Sequence, residues 1–150
     1  MSAETDLIKL YSGRILALAA DIPRTGRLSA PDATVTRRSP LCGSTVTVDV
    51  VMKDGVVADY AQDVKACALG QAAAAVVGAH VVGRTPDELA SGAAGLRAML
   101  KDGADVPPAP WEGFEVLHPA RDYRNRHASI LLAIEAAAEA ARSAQSRESA

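Results

Sequence analysis

The clearest alternation of apolar and polar positions in this chain is TVTVDVVM, residues 45–52. Val46, Val48, Val50 and Met52 fall on one face and Thr45, Thr47 and Asp49 on the other, the pattern of a half-buried β-strand. KDG (53–55) follows, and Asp54-Gly55 is a hairpin signal. VVADYAQDV (56–64) then reads as the return strand. TVTRRS (34–39) reads as a shorter strand, stopped by Pro40. Ahead of the strands, Leu7, Ile8, Tyr11, Ile15 and Leu18 recur at helical spacing, which predicts a helix over 3–20 with Glu4 and Asp6 at the positive end of its dipole. DIPRTGRLSAPDA (21–33) reads as a loop.

After the hairpin the period of two vanishes. CALGQAAAAVVGAH (67–80) is rich in small residues and predicts a helix able to pack closely. RTPDELASG supplies Thr85 as N-cap, Pro86 at the first helical position and Glu88 at the third, a capping signal for a short helix. AAGLRAMLKDG predicts another helix, ended at Gly103. Residues 104–123 read as a Pro-rich connection in which Trp111, the single tryptophan, anchors the loop on the core. A last helix is expected from about Asn125 to Ala144, with Ile130, Ile134, Ala137, Ala138 and Ala141 on one stripe. Residues 145–150 read as a disordered tail. A helix, three strands joined by short turns and a run of helices imply an α+β fold: a three-stranded antiparallel sheet packed against helices, in a single domain over 1–150 with its core at about 5–144.

Composition narrows the function classes. Hydrophobic residues make up 49%, charged residues 23%, aromatic residues 3%, and the formal net charge is -2. This balance argues against a nucleic-acid partner, and no apolar run is long enough to cross a membrane. The acidic start MSAETDLIKL lacks the pattern of a secretory signal. With only two cysteines, the reading is a cytoplasmic protein without a disulfide framework.

Those cysteines are the candidate chemistry. Cys42 lies in the loop SPLCGS before the main strand. Cys67 opens a helix two residues after Lys65, where the dipole favours negative charge. A hairpin over 45–64 would bring both to one end of the sheet. Two thiolates there are half of a tetrahedral site, although two buried small hydrophobes would give the same spacing. His80, His118 and His127 are all candidates for a third ligand, and the residues alone do not choose among them.

Three blocks add a resemblance. SPLCGS is similar to the Asn-Pro-x-Cys-Gly-Asp loop of iron–sulfur cluster assembly scaffolds, the IscU, SufU and NifU N-terminal group. KDGVVADYAQDVKACALGQAAAAVVGAHVVGRTPDEL resembles their second block, where a hairpin leads to a cysteine at a helix start. RNRHASILLAIEAA resembles the third, sometimes written His-Cys-Ser-Ile-Leu. The blocks occur in order over roughly residues 5–140. The resemblance implies a SufE/NifU-like fold and a non-enzymatic scaffold. It would bind iron or a [2Fe–2S] cluster transiently, with a cysteine desulfurase and iron–sulfur acceptor proteins as partners. It makes Cys42, Cys67 and His127 the ligands, with Asp63, His118 and Asp122 as candidates for a fourth.

The chain departs from that pattern at telling places. Ala128 stands where the third cysteine is expected, Ser44 replaces the aspartate after Cys-Gly, and Ala66 replaces the glycine before the second cysteine. DYRNR replaces the Leu-Pro-Pro-Val-Lys stretch, which argues against a dedicated Hsp70-type chaperone contact. Two sulfurs and an imidazole are also a zinc set. Two alternatives follow: a zinc-binding SufU-like sulfur acceptor, with sulfurtransfer at Cys42 or Cys67, and a degenerate relative that binds no metal. Arg121, Arg124 and Arg126 flank His127, either as a solvated helix start or as charge compensation for an anionic cluster or thiolate.

Overall fold

The computed structural model describes residues 12–40 and 43–148. Helix α1 spans Gly13–Ala20 and is N-capped by Ser12, whose side chain accepts from Ile15 N, so the continuous helix expected over 3–20 is broken there; residues 1–11 lie outside the described residues. Strands β1 (Ala33–Arg38), β2 (Thr45–Lys53) and β3 (Val56–Lys65) form an antiparallel meander in the order β1-β2-β3. Helices α2 (Ala68–His80), α3 (Pro86–Lys101) and α4 (Arg124–Glu148) follow, with a 3₁₀ segment over Glu112–Asp122 between the last two. The α+β architecture expected from the pattern is therefore present.

The sheet obeys its sequence. Val46, Val48 and Val50 are at most 1% exposed and face the helices. Asp54 and Gly55 both take positive φ, 54° and 81°, as a two-residue turn between paired Lys53 and Val56 requires. The opposite face holds an unexpected polar anchor. The Asp49 side chain is fully buried, and it accepts hydrogen bonds from Arg27 Nε at 2.6 Å, Leu28 N at 3.0 Å and Thr34 Oγ1 at 2.5 Å. Desolvation pushes the Asp49 pKa up, but these donors outweigh it and hold the carboxyl below its ordinary value. The loop carrying Arg27 is thereby fastened over that face. The same loop pairs along β3 through Gly26 N to Gln62 O and Gln62 N to Arg24 O, each at 2.9 Å, which covers an open sheet edge.

Helix α2 is buried on nearly every side, as its Ala-rich sequence allows: Leu69, Gly70, Ala72 to Ala75, Val76, Val77 and Gly78 are all inside. Helix α4 lies across β1 and β2 and packs on α2 and α3. Its expected stripe is seen, with Ile130, Ile134, Ala137 and Ala141 buried and Ala138 partly so. Trp111 docks as expected: it is 3% exposed, stacks on Phe114 at 6.0 Å, and donates from Nε1 to the Glu88 carbonyl at 3.3 Å.

Three further boundaries differ from the sequence reading. The two helices expected after residue 85 are one continuous α3, because Gly92 and Gly95 lie within it and pack against Trp111 and Pro107 instead of ending it. The Pro-rich connection coils into a 3₁₀ segment that buries Phe114, Leu117 and Ala120. Helix α4 runs through Glu148, so residues 145–148 continue a helix where a tail was expected. In that last turn Arg147 donates to the Asp32 carbonyl at 2.7 Å.

Candidate functional site

The site gathers at one end of the sheet, where three chain segments meet. Thr45 pairs with Lys65, so the start of β2 and the end of β3 are neighbours. Cys42 itself lies outside the described residues, but both flanks of its loop are described. Ser39 N donates to Ser44 O at 2.8 Å, and Gly43 N donates to Ser39 O at 3.0 Å. These described flanks of the loop meet at the end of the sheet where Cys67 stands.

Cys67 is the N-cap of α2. Its carbonyl accepts from Gln71 N at 2.9 Å, and its side chain makes no capping bond. Its Sγ lies 3.6 Å from Ser129 Oγ on α4. Ser129 Oγ in turn donates to Ser44 Oγ at 2.9 Å. A hydroxyl has one proton, so the Cys67 thiol is the donor to Ser129 in this arrangement. The position where the resemblance expects an aspartate is therefore a buried neutral hydroxyl, 4% exposed, tied through Ser129 to the Cys67 sulfur. Ser129 was not singled out from sequence, since it reaches Cys67 across 62 positions. Gly70 permits the contact: a β-carbon there would meet Ser129 Oγ at 2.7 Å and Ala66 Cβ at 2.8 Å.

His127 enters α4 in its first turn and is 2% exposed. Its Nε2 lies 3.1 Å from the Ala120 carbonyl and 3.0 Å from the Arg121 carbonyl. Two acceptors at one nitrogen require the proton there, so Nδ1 carries the lone pair. Nδ1 is buried and has no partner among the described residues. Desolvation lowers the His127 pKa, the Ala120 carbonyl opposes it, and the charges of Lys101 and Arg124 lower it further. Burial thus favours the neutral ring, whose proton the two carbonyls hold on Nε2, leaving Nδ1 bare. That is the state in which imidazole binds a metal, with its other N–H held by backbone carbonyl.

The remaining sequence candidates are dispersed. His80 is exposed at the end of α2. Asp63 is exposed on β3 opposite Thr47. His118 Nε2 sits 3.4 Å from Arg121 Nη1. Asp122 is exposed and borders His127 at a cavity of about 610 Å³, together with Lys101, Arg121 and Arg124. Arg121 and Arg124 therefore gather at a cavity whose lining does not include Cys67, and Arg126 is not part of it. Among the described residues, which do not include Cys42, no three His, Cys, Asp or Glu side chains come together to hold a metal ion.

No family model matches the sequence, and no curated protein matches it. Among solved structures it is similar to a nitrogen-fixing NifU-like protein (N-terminal) from Brucella abortus. The two share 43% identity and a TM-score of 0.91, over 95% of this chain and 99% of that one. The chain belongs to the NifU-like N-terminal family. Its fold, without any claim on function, is shared with two more distant structures. One is a candidate iron–sulfur cluster assembly scaffold protein for the SUF system from Fervidobacterium islandicum AW-1, at 18% identity and TM-score 0.78, over 89% of this chain and 98% of that one. The other is a hypothetical protein at 22% identity and TM-score 0.78, over 90% and 98%. In this NifU-like chain no described helix is long and apolar enough to cross a membrane.

Proposed function

We propose that this NifU-like domain is an iron–sulfur cluster assembly scaffold. It holds iron or a [2Fe–2S] cluster as cargo, between a cysteine desulfurase that supplies sulfur and acceptor proteins that receive the product. In this reading it is a carrier and not an enzyme. The observation that carries the proposal is the 43% identity to a NifU-like domain along 95% of the chain. The local chemistry supports it: Cys67 is linked through Ser129 to Ser44, which follows the Cys42 loop, and His127 keeps a buried bare nitrogen. Cys42, Cys67 and His127 are the proposed ligands. The replacement of a third thiolate by Ala128 predicts a labile cargo, since histidine on iron raises the potential and donates less charge than thiolate. Anaerobic reconstitution with ferrous iron and sulfide is the test. A visible cluster spectrum lost in Cys42→Ser and Cys67→Ser is expected; no spectrum in the unaltered protein sinks the proposal.

A second reading rests on the donor set itself. Two thiolates and one neutral imidazole suit zinc. Zinc there would supply a Lewis acid that keeps its thiolate ligands deprotonated. The chain would then accept sulfur: a Cys42 or Cys67 thiolate attacks the outer sulfur of a desulfurase persulfide, a new S–S bond forms, and the desulfurase thiolate leaves. Elemental analysis of anaerobically purified protein separates the readings. Stoichiometric zinc favours the acceptor, and iron with acid-labile sulfide favours the scaffold.

A further inference from the structure

Two arginines at the start of α4 and just before it, with a lysine from α3, converge on a cavity that does not include Cys67. Lys101, Arg121 and Arg124 line the cavity of about 610 Å³, with Asp122 as the one carboxylate of its lining. Its volume lies in the range of small-molecule sites. Six arginines elsewhere, Arg24, Arg27, Arg37, Arg84, Arg97 and Arg142, each pair with a carboxylate. Lys101 and Arg124 have no ion-pair partner among the described residues, and Arg121 has only the His118 ring at 3.4 Å. His127 borders the same cavity, buried and with Nδ1 unpartnered.

Concentrating positive charge here is costly without a counter-charge. Helix α4 has no acidic residue in its first turn, and Arg124 begins it, so like charge faces the positive end of a 25-residue helix. A bound anion would reverse the sign of each of these terms at once. Arg forks and a lysine ammonium are suited to oxyanions with two or more negative oxygens.

We propose that this cavity is a binding site for a small multivalent oxyanion, a phosphate-bearing or polycarboxylate metabolite, held by Lys101, Arg121 and Arg124. The cavity lacks Cys67 but shares His127 with the proposed cluster ligands; the anion contacts of Lys101, Arg121 and Arg124 do not depend on the scaffold reading. Asp122 narrows the ligand by repelling anions that do not engage all three cations.

Calorimetric titration of the metal-free protein with pyrophosphate and, in a separate arm, with citrate tests this at constant ionic strength. Saturable one-to-one binding is expected, and the tighter arm names the source. Lys101→Gln and Arg124→Gln should each weaken it about tenfold, one charge-assisted contact apiece, with circular dichroism unchanged. Arg142→Gln removes the same charge at a remote pair with Asp87 and should leave binding intact, as should Cys67→Ser. Loss of saturation in both arms, or equal weakening by Arg142→Gln, overturns the proposal. Anion binding that survives while cluster reconstitution fails would remove the scaffold reading and leave this site standing.

Discussion

A β-carbon on Gly70 would sit 2.7 Å from the Ser129 hydroxyl and 2.8 Å from Ala66 Cβ, both closer than side chains tolerate. Glycine to alanine inside a helix usually stabilises by up to about 1 kcal/mol. Here overpacking should win, and Gly70→Ala should cost about 2 kcal/mol in urea unfolding. A stabilised variant would show that α2 and α4 separate freely at Cys67. His127 makes a second prediction at this scale. Its pKa lies below the ordinary 6.5, so as pH falls the unfolded chain takes the proton first. The stability of the metal-free protein should hold above about pH 6.5 and decline as pH drops from there through the lowered native pKa. His127→Gln should flatten that part of the curve, while an unchanged slope would assign it to another group. Neither Ser129 nor Gly70 was legible in sequence. Helical spacing marks which residues face inward, but says nothing of which inward atoms meet across 62 positions.

Elements were the most legible scale, and α3 shows both the reach and the limit of local signals. Its capping box is complete: Glu88 N donates to Thr85 Oγ1 at 3.1 Å, and Thr85 N donates to Glu88 Oε1 at 3.0 Å. Thr85→Ala should therefore lower stability by about 1 kcal/mol in thermal unfolding, and Thr85→Ser should restore most of it. A null effect of the alanine would mean packing alone holds this end. The start was readable because a cap is written within four residues. The continuation past Gly92 was not, because the missing side chain is filled by Trp111, whose Nε1 would lie 2.8 Å from a β-carbon there. The 3₁₀ segment escaped for a similar reason: burial of Phe114 and Leu117, more than any local period, makes it coil.

At the scale of the whole molecule, one hydrophobic core among the described residues joins α2, α4 and the inner sheet face. Small metallo-domains unfold when stripped of their ion; this chain should not. After exhaustive chelation it should keep its far-UV circular dichroism and melt cooperatively. Loss of both would mean that the ion organises the fold. The family was visible in three ordered blocks of sequence, and the 43% identity to a NifU-like domain bears that out.

The sequence by itself determined the strands, the hairpin, most helix starts and the family, because each depends on periodicity, capping or turn chemistry over a few neighbouring residues. Tertiary structure alone decided that Ser44 and Ser129 form a hydroxyl chain to Cys67. It also decided that His127 keeps one nitrogen bare and that Lys101 joins two arginines around a cavity. Those arrangements depend on how closely packed helices approach one another and on which polar groups burial strips of water, and neither is encoded in any local stretch of the chain.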